Sequence, residues 1–163
     1  MQLILNSKDT LLFDEFKFKC SIGKNGFTAK KIEGDKKTPK GTYSLGPLFY
    51  RKDKFPNLKT RLKKVPITKN MGWCDDVESK KYNKLIKVNK KIRHEKLKRI
   101  DYKYDLLIPV KYNFNKPIVG LGSCIFIHLT NNYKPTAGCI GIKKKDFLII
   151  LKLINKKTKI KIS

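Results

Sequence analysis

Acidic residues are scarce in this chain: 13 Asp and Glu stand against 39 Lys and Arg among 163 residues, a formal net charge of +26. Among the cations arginine is scarce in turn, limited to Arg51, Arg61, Arg93 and Arg99. Specific phosphate and base recognition favours the bidentate arginine fork. No specific nucleic-acid partner is therefore expected. The lysines are scattered along the whole chain and, with the many Asn and Ile, read as a compositional bias on a solvated surface. A field of this size still attracts anionic polymers weakly.

No apolar run is long enough to span a bilayer, and there is no internal repeat or low-complexity tail. The four cysteines, Cys20, Cys74, Cys124 and Cys139, include no C-x-x-C pair. No His/Cys cluster has zinc spacing, so neither a metal nor another cofactor is expected. An even cysteine count permits disulfides without requiring them. The start, "MQLILNSKDT", lacks a basic segment followed by a long apolar core and does not read as a signal peptide. That leaves a cytoplasmic location, or export by a route not visible here. The length suits one domain, residues 1–163, with a real core, and a monomer is expected.

What is present is patterned mostly for strands. "FKFKC" alternates, putting Phe16, Phe18 and Cys20 on one face. "GKNG" and "EGDKKTPKG" supply turns, with Pro39 and Gly41 fixing and freeing the backbone; "TYSL" and "GPLFYR" then read as extended. Arg51 to Asp105 is basic and interrupted, and predicts loops and short helices. Asn89 to Arg99 in particular has helical composition without an apolar stripe. "YDLLIPVKYN" predicts a strand, at an edge or a bulge because of Pro109. "CIFIHL" suits a buried strand. "KKKDFLIILKLI" predicts a helix burying Phe147, Ile150, Leu151 and Ile154, and "KTKIKIS" a final edge strand. The reading is a mainly β domain with a helix packed near Cys139.

His128 and Cys139 carry the candidate chemistry. A cysteine attacks carbonyls as its thiolate, and an unassisted thiol is only about a few per cent ionised at pH 7. A histidine in reach can take the proton and return it to a leaving amine. His128 ends a predicted strand, and Cys139 follows a loop just past Gly138. The amides of Gly138 and Cys139 could face a developing oxyanion. The plain alternative is a buried small cysteine and a core histidine, and spacing alone does not separate the two. Cys124 shares a strand face with His128 but stands too far along it to bond directly.

"HLTNNYKPTAGCIGI" resembles the catalytic signature of the YkuD-type L,D-transpeptidases, where a His precedes a Ser/Thr-x-Gly-Cys loop. "KKIEGDKKTPKGTYSL" resembles that family's acidic-Gly-Asp and Thr-Pro-x-Gly-Thr stretch. "GWCDD", "YNKLI", "RHEKL", "YDLLIPVKYN" and "GSCIFIH" resemble one branch of it in the same order, from about Cys20 to the C-terminus. The resemblance implies a β-sandwich or barrel-like fold and a cysteine acyltransferase acting on peptidoglycan stem peptides through a thioester. In the family the thiolate attacks the third stem residue, a diamino acid, and expels the terminal D-alanine; a neighbouring stem's amine then completes a 3–3 cross-link. Carried over, Cys139 is the nucleophile and His128 the base and acid. Gly138 and Cys139 supply oxyanion amides, and Thr136 supports the loop. Such a substrate implies work in the cell envelope or periplasm.

Three features depart from the better-known members. Ala137 stands where they have a second His, Gly141 and Ile142 stand where Asn or Arg often follow the cysteine, and the loop is shorter. These leave the acceptor open. An amine gives a transpeptidase, water a carboxypeptidase or endopeptidase, and a non-catalytic polyanion-binding module is the third reading. His94, Trp73, Asp75 and Asp76 are read either as surface and turn residues or as a substrate wall, and stay outside the catalytic set.

Overall fold

The structure, a computed structural model, describes residues 1–163. The first strands are β1 (Gln2–Leu5), β2 (Thr10–Phe13), β3 (Phe16–Ser21), β4 (Phe27–Thr28), β5 (Thr38–Pro39), β6 (Gly41–Ser44), β7 (Leu48–Tyr50) and β8 (Lys64–Pro66). Then come β9 (Met71–Cys74), β10 (Leu85–Lys87), β11 (His94–Lys96), β12 (Leu106–Pro109), β13 (Phe126–Leu129) and β14 (Ile140–Ile142). A helix, α1 (Lys144–Leu153), and β15 (Lys159–Ile162) end the chain.

Ten strands form one sheet in the order β6-β15-β1-β2-β3-β14-β13-β12-β7-β8. The sheet curls back on itself. Just past β6, Leu45 bridges Val110, the Gly46 N–H donates to Pro109 O at 2.8 Å, and the Lys111 N–H donates to Ser44 O at 2.9 Å. Inside the curl lies the main core, with Leu3, Leu5, Leu11, Ile127, Ile140 and Ile160. The helix completes it: Phe147, Ile150, Leu151 and Ile154 are all buried there, as their spacing predicts. A small sheet, β10-β9-β11, lies apart, and it contributes Trp73 to a second cluster with Phe49, Tyr104, Leu107, Phe126 and Cys139.

This layering explains why "FIHL" carries no alternation. Side chains of β13 point alternately to opposite faces. Ile127 and Leu129 enter the main core, while Phe126 enters the second cluster. With both faces covered, a strand reads as a continuous apolar run.

The sequence-based expectations need four corrections. The stretch from Arg51 to Asp105 contains strands and turns and no helix. Asn89–Arg99 in particular contributes β11, a three-residue strand half-covered by β9, too short and too basic to show a period. The last strand, β15, is not an edge, since it pairs with β1 on one side and β6 on the other. Its Lys/Ile alternation reports a solvent face rather than a free flank. Strand β12 is likewise interior, between β13 and β7. Pro109 is tolerated because it is the last residue, where the neighbour changes to Gly46. Finally, Phe18 and Cys20 are buried, but Phe16, at the start of β3, is 42% exposed.

Candidate active site

The second layer holds the candidate chemistry. Strands β13 and β14 run parallel, with Ile127 opposite Ile140 and His128 opposite Gly141. Cys139 immediately precedes β14. Two residues of strand separate it from the position facing His128, roughly 7 Å along the chain. Both side chains line one cavity of about 380 Å³. Both are almost covered, with 8% of Cys139 and 7% of His128 exposed.

Their hydrogen bonds fix their states. His128 Nδ1 lies 2.9 Å from Leu129 O. A carbonyl can only accept, so Nδ1 carries the proton and Nε2 keeps its lone pair. No protein group bonds Nε2, and it is not among the sealed polar atoms. The Cys139 thiol donates to Cys124 O at 3.0 Å and accepts from the Phe126 N–H at 3.4 Å. Thiol and imidazole are thus not hydrogen-bonded to each other. Burial pushes the Cys139 thiol up to about 12, with the Glu95 charge adding to it. Burial also lowers His128 to about 4. The resting pair is neutral on both sides.

The loop between them is tied down at several points. The Tyr133 N–H donates to Thr130 Oγ1 at 3.0 Å. Thr136 zips to the chain beyond β3, its N–H donating to Ile22 O and its carbonyl accepting from the Lys24 N–H, both at 2.9 Å. Thr136 Oγ1 donates to Cys139 O at 2.6 Å and accepts the Gly138 N–H at 3.1 Å. That amide is therefore engaged within its own loop, whereas the Cys139 N–H bonds no protein acceptor. Gly138 has φ +138°, and a Cβ there would lie 2.8 Å from Lys37 O. From below, Thr38 Oγ1 donates to Gly138 O and accepts the Gly23 N–H, each at 2.9 Å. The "DKKTPKG" turn thus supports the Cys139 loop directly.

Gly141, one of the departures from the expected pattern, is explained by packing. It pairs with Ser21 on β3, and an added Cβ would lie 2.5 Å from Ser21 Oγ and 3.2 Å from Thr130 Cβ. A polar side chain has no room there. Ala137 lines the cavity.

The remaining candidates separate clearly. Trp73 is 3% exposed and packs edge-to-face on Phe49 and Phe126, as a core residue. Its Nε1–H donates to Asn83 Oδ1 at 2.9 Å. Asp76 caps a turn, accepting the N–H groups of Glu78 and Arg93. His94 binds Ile92 O through Nδ1 and does not line the cavity. Asp75 does line it, while pairing with Arg93 at 3.3 Å.

Several residues of the site were not anticipated from the sequence. Glu33, Glu95, Tyr104 and Ser123 all line the cavity. Tyr104 packs its ring against His128, with centroids 5.6 Å apart, and donates its hydroxyl to Glu95 Oε2. Asn83 is buried and accepts the Cys124 N–H at 3.2 Å, holding the residue whose carbonyl takes the Cys139 thiol. The segments "EGD", "YNKLI", "RHEKL" and "YDLL" do belong to the ordered series that resembles the family. No group of His, Cys, Asp and Glu has the arrangement of a metal site, and no helix is long and apolar enough to cross a membrane.

The family model described as the YkuD L,D-transpeptidase catalytic domain matches residues 3–162. The match extends back through β1, beyond the segments whose resemblance is legible by eye. No curated protein matches the chain.

Proposed function

We propose that this chain, which belongs to the YkuD family of L,D-transpeptidase catalytic domains, is a cysteine acyltransferase that remodels peptidoglycan stem peptides. The observation that carries this reading is the shared cavity. Cys139 and the unpartnered His128 Nε2 open into it from neighbouring parallel strands, with His128 oriented by Leu129 O.

In the proposed reaction a stem-peptide carbonyl enters beside Cys139 and the thiol turns from Cys124 O toward His128 Nε2. His128 takes the proton as sulfur attacks the carbonyl. The free Cys139 N–H meets the developing oxyanion, and the Gly138 N–H joins it by loosening from Thr136 Oγ1. Collapse breaks the C–N bond, and the leaving amine receives the proton from His128. The product is a thioester on Cys139. An amine of a second stem then attacks it, gives its proton to His128, and forms a new amide as sulfur leaves and is reprotonated. The substrate places the work outside the cytoplasmic membrane, and a single copy of the chain suffices for these steps.

The test is intact mass. The protein incubated with a tetrapeptide stem, or with a carbapenem, gains the mass of the acyl group, and Cys139→Ala gains none. An adduct that persists in Cys139→Ala, or none in the unsubstituted protein, ends the reading. Product sequencing identifies which carbonyl is transferred. A cross-linked dimer marks a transpeptidase, and a shortened free peptide marks water as the acceptor.

A further inference from the structure

Carboxylates are rare in this chain, yet Glu33, Asp75 and Glu95 all line the cavity that holds Cys139 and His128. Asp75 is paired with Arg93. Glu33 and Glu95 are not paired: every ion pair in the molecule uses an aspartate. Four cations line the same cavity and none pairs with either glutamate: Lys31 pairs with Asp35 at 2.5 Å and Arg99 with Asp101 at 2.6 Å, while Lys103 and Lys134 are in no ion pair. A half-buried carboxylate without a cation is costly, and a chain with 39 Lys and Arg does not lack candidates.

The hydrogen bonds are equally selective. Each glutamate is held through one oxygen by neutral hydroxyls. Tyr104 donates to Glu95 Oε2. Tyr82 donates to Glu33 Oε2, as does Ser123 Oγ at 2.7 Å. Neither Oε1 atom has a protein donor, and neither is among the sealed unpartnered atoms. Both glutamates are thus fixed in orientation, with one oxygen left to the cavity.

We propose that Glu33 and Glu95 receive an ammonium group of the substrate and so set the specificity of the site for an amine-bearing amino acid. The proposal rests on the stem-peptide reading, since such stems carry a diamino acid. The ammonium has two sources of the same chemistry, the donor's own side chain and the acceptor's amine before it is deprotonated. Tyr104 lies between His128 and Glu95, so a cation held there sits in the same cavity as the reacting pair.

The direct test is binding by calorimetry, with the Cys139→Ala protein so that no turnover intervenes. The probes are the tetrapeptide L-alanyl-D-glutamyl-diaminopimelyl-D-alanine and the same peptide acetylated on its free side-chain amine. Acetylation is expected to weaken binding about tenfold or more, as for loss of a charge-assisted hydrogen bond. In Cys139→Ala carrying Glu33→Gln and Glu95→Gln the penalty should shrink below about twofold. Glutamine keeps an oxygen for the hydroxyl donors, and the peptide comparison itself needs no glutamate variant to fold. Equal binding of the two peptides, no binding of either, or a preference that survives both substitutions overturns the proposal. Turnover separates the sources: in Glu95→Gln, slower thioester formation marks the donor's ammonium. A raised acceptor KM with unchanged thioester formation marks the acceptor's. Failure of the stem-peptide reading is seen separately, as absence of a Cys139 adduct on the unsubstituted protein.

Discussion

Cys139 and His128 share a cavity but direct their hydrogen bonds to two different carbonyls, Cys124 O at 3.0 Å and Leu129 O at 2.9 Å. The resting site therefore holds a thiol and a neutral imidazole rather than an ion pair. In the proposed reaction the pair forms only when a substrate carbonyl takes the place of Cys124 O as the thiol's neighbour. Water, and electrophiles that seat no carbonyl in the cavity, then meet an unreactive cysteine.

Alkylation kinetics check this. With the thiol near 12, only about one part in 10⁵ is thiolate at pH 7. Iodoacetamide should modify Cys139 slowly, at a rate rising about tenfold per pH unit from 7 to 10. Peptide mapping isolates Cys139 from the other three cysteines. A fast rate that is flat with pH would show a standing thiolate–imidazolium pair and contradict the neutral resting state.

The same burial makes His128 a source of acid sensitivity. Its folded value of about 4 lies below the ordinary 6.5. Between those values the unfolded chain binds more protons, so stability rises with pH there and is lost as pH falls from 6.5 toward 4. The loss is about 3 kcal/mol for a shift of this size. Urea denaturation of His128→Asn should show a correspondingly flatter pH dependence over that window, and an unchanged slope would refute the assignment.

Much of this arrangement was legible in the chain, and what was not has a physical reason. The stripe Phe147, Ile150, Leu151 and Ile154 fixed the helix, because one face of an isolated helix must bury its apolar residues. Cys139, His128, Gly138 and Thr136 lie within a dozen residues, so one local signature exposed them. Glu95 and Glu33 sit in separate basic segments, and only tertiary pairing brings them to the cavity. Strand β11 shows why: "HEK" has no apolar period, and it is a strand only because β9 offers its edge. The closure at Leu45 and Val110 is likewise invisible, since both flank strands whose partners lie far away in sequence.

Thr38, in β5, joins the "DKKTPKG" stretch to the candidate loop through the only hydrogen bond between them. Thr38→Val keeps the shape but leaves Gly138 O and the Gly23 N–H without their partner in a fully buried place. Two such groups cost about 2–4 kcal/mol together. Stability by denaturant should fall by that amount. Adduct formation at Cys139 should slow by at least about tenfold, because a misplacement of about 1 Å is enough to do so. Unchanged adduct kinetics would mean that the loop holds its shape without Thr38.

Gly141 and Ser21 offer a test of why the residue after the cysteine loop is bare. Gly141→Ala places a methyl 2.5 Å from Ser21 Oγ, and overpacking of this kind costs about 1–3 kcal/mol. Ser21 Oγ is itself buried without a hydrogen-bond partner, so Ser21→Ala should be neutral or stabilising by up to about 1 kcal/mol. The two changes touch the same space. In the double variant the alanine at 141 should cost at least about 1 kcal/mol less than it does alone, a coupling readable in a double-mutant cycle. Strict additivity would show that Ser21 is not what keeps position 141 a glycine. Coupling would tie the missing polar group beside His128 to packing against β3, and leave recognition of the second substrate to the walls of the cavity.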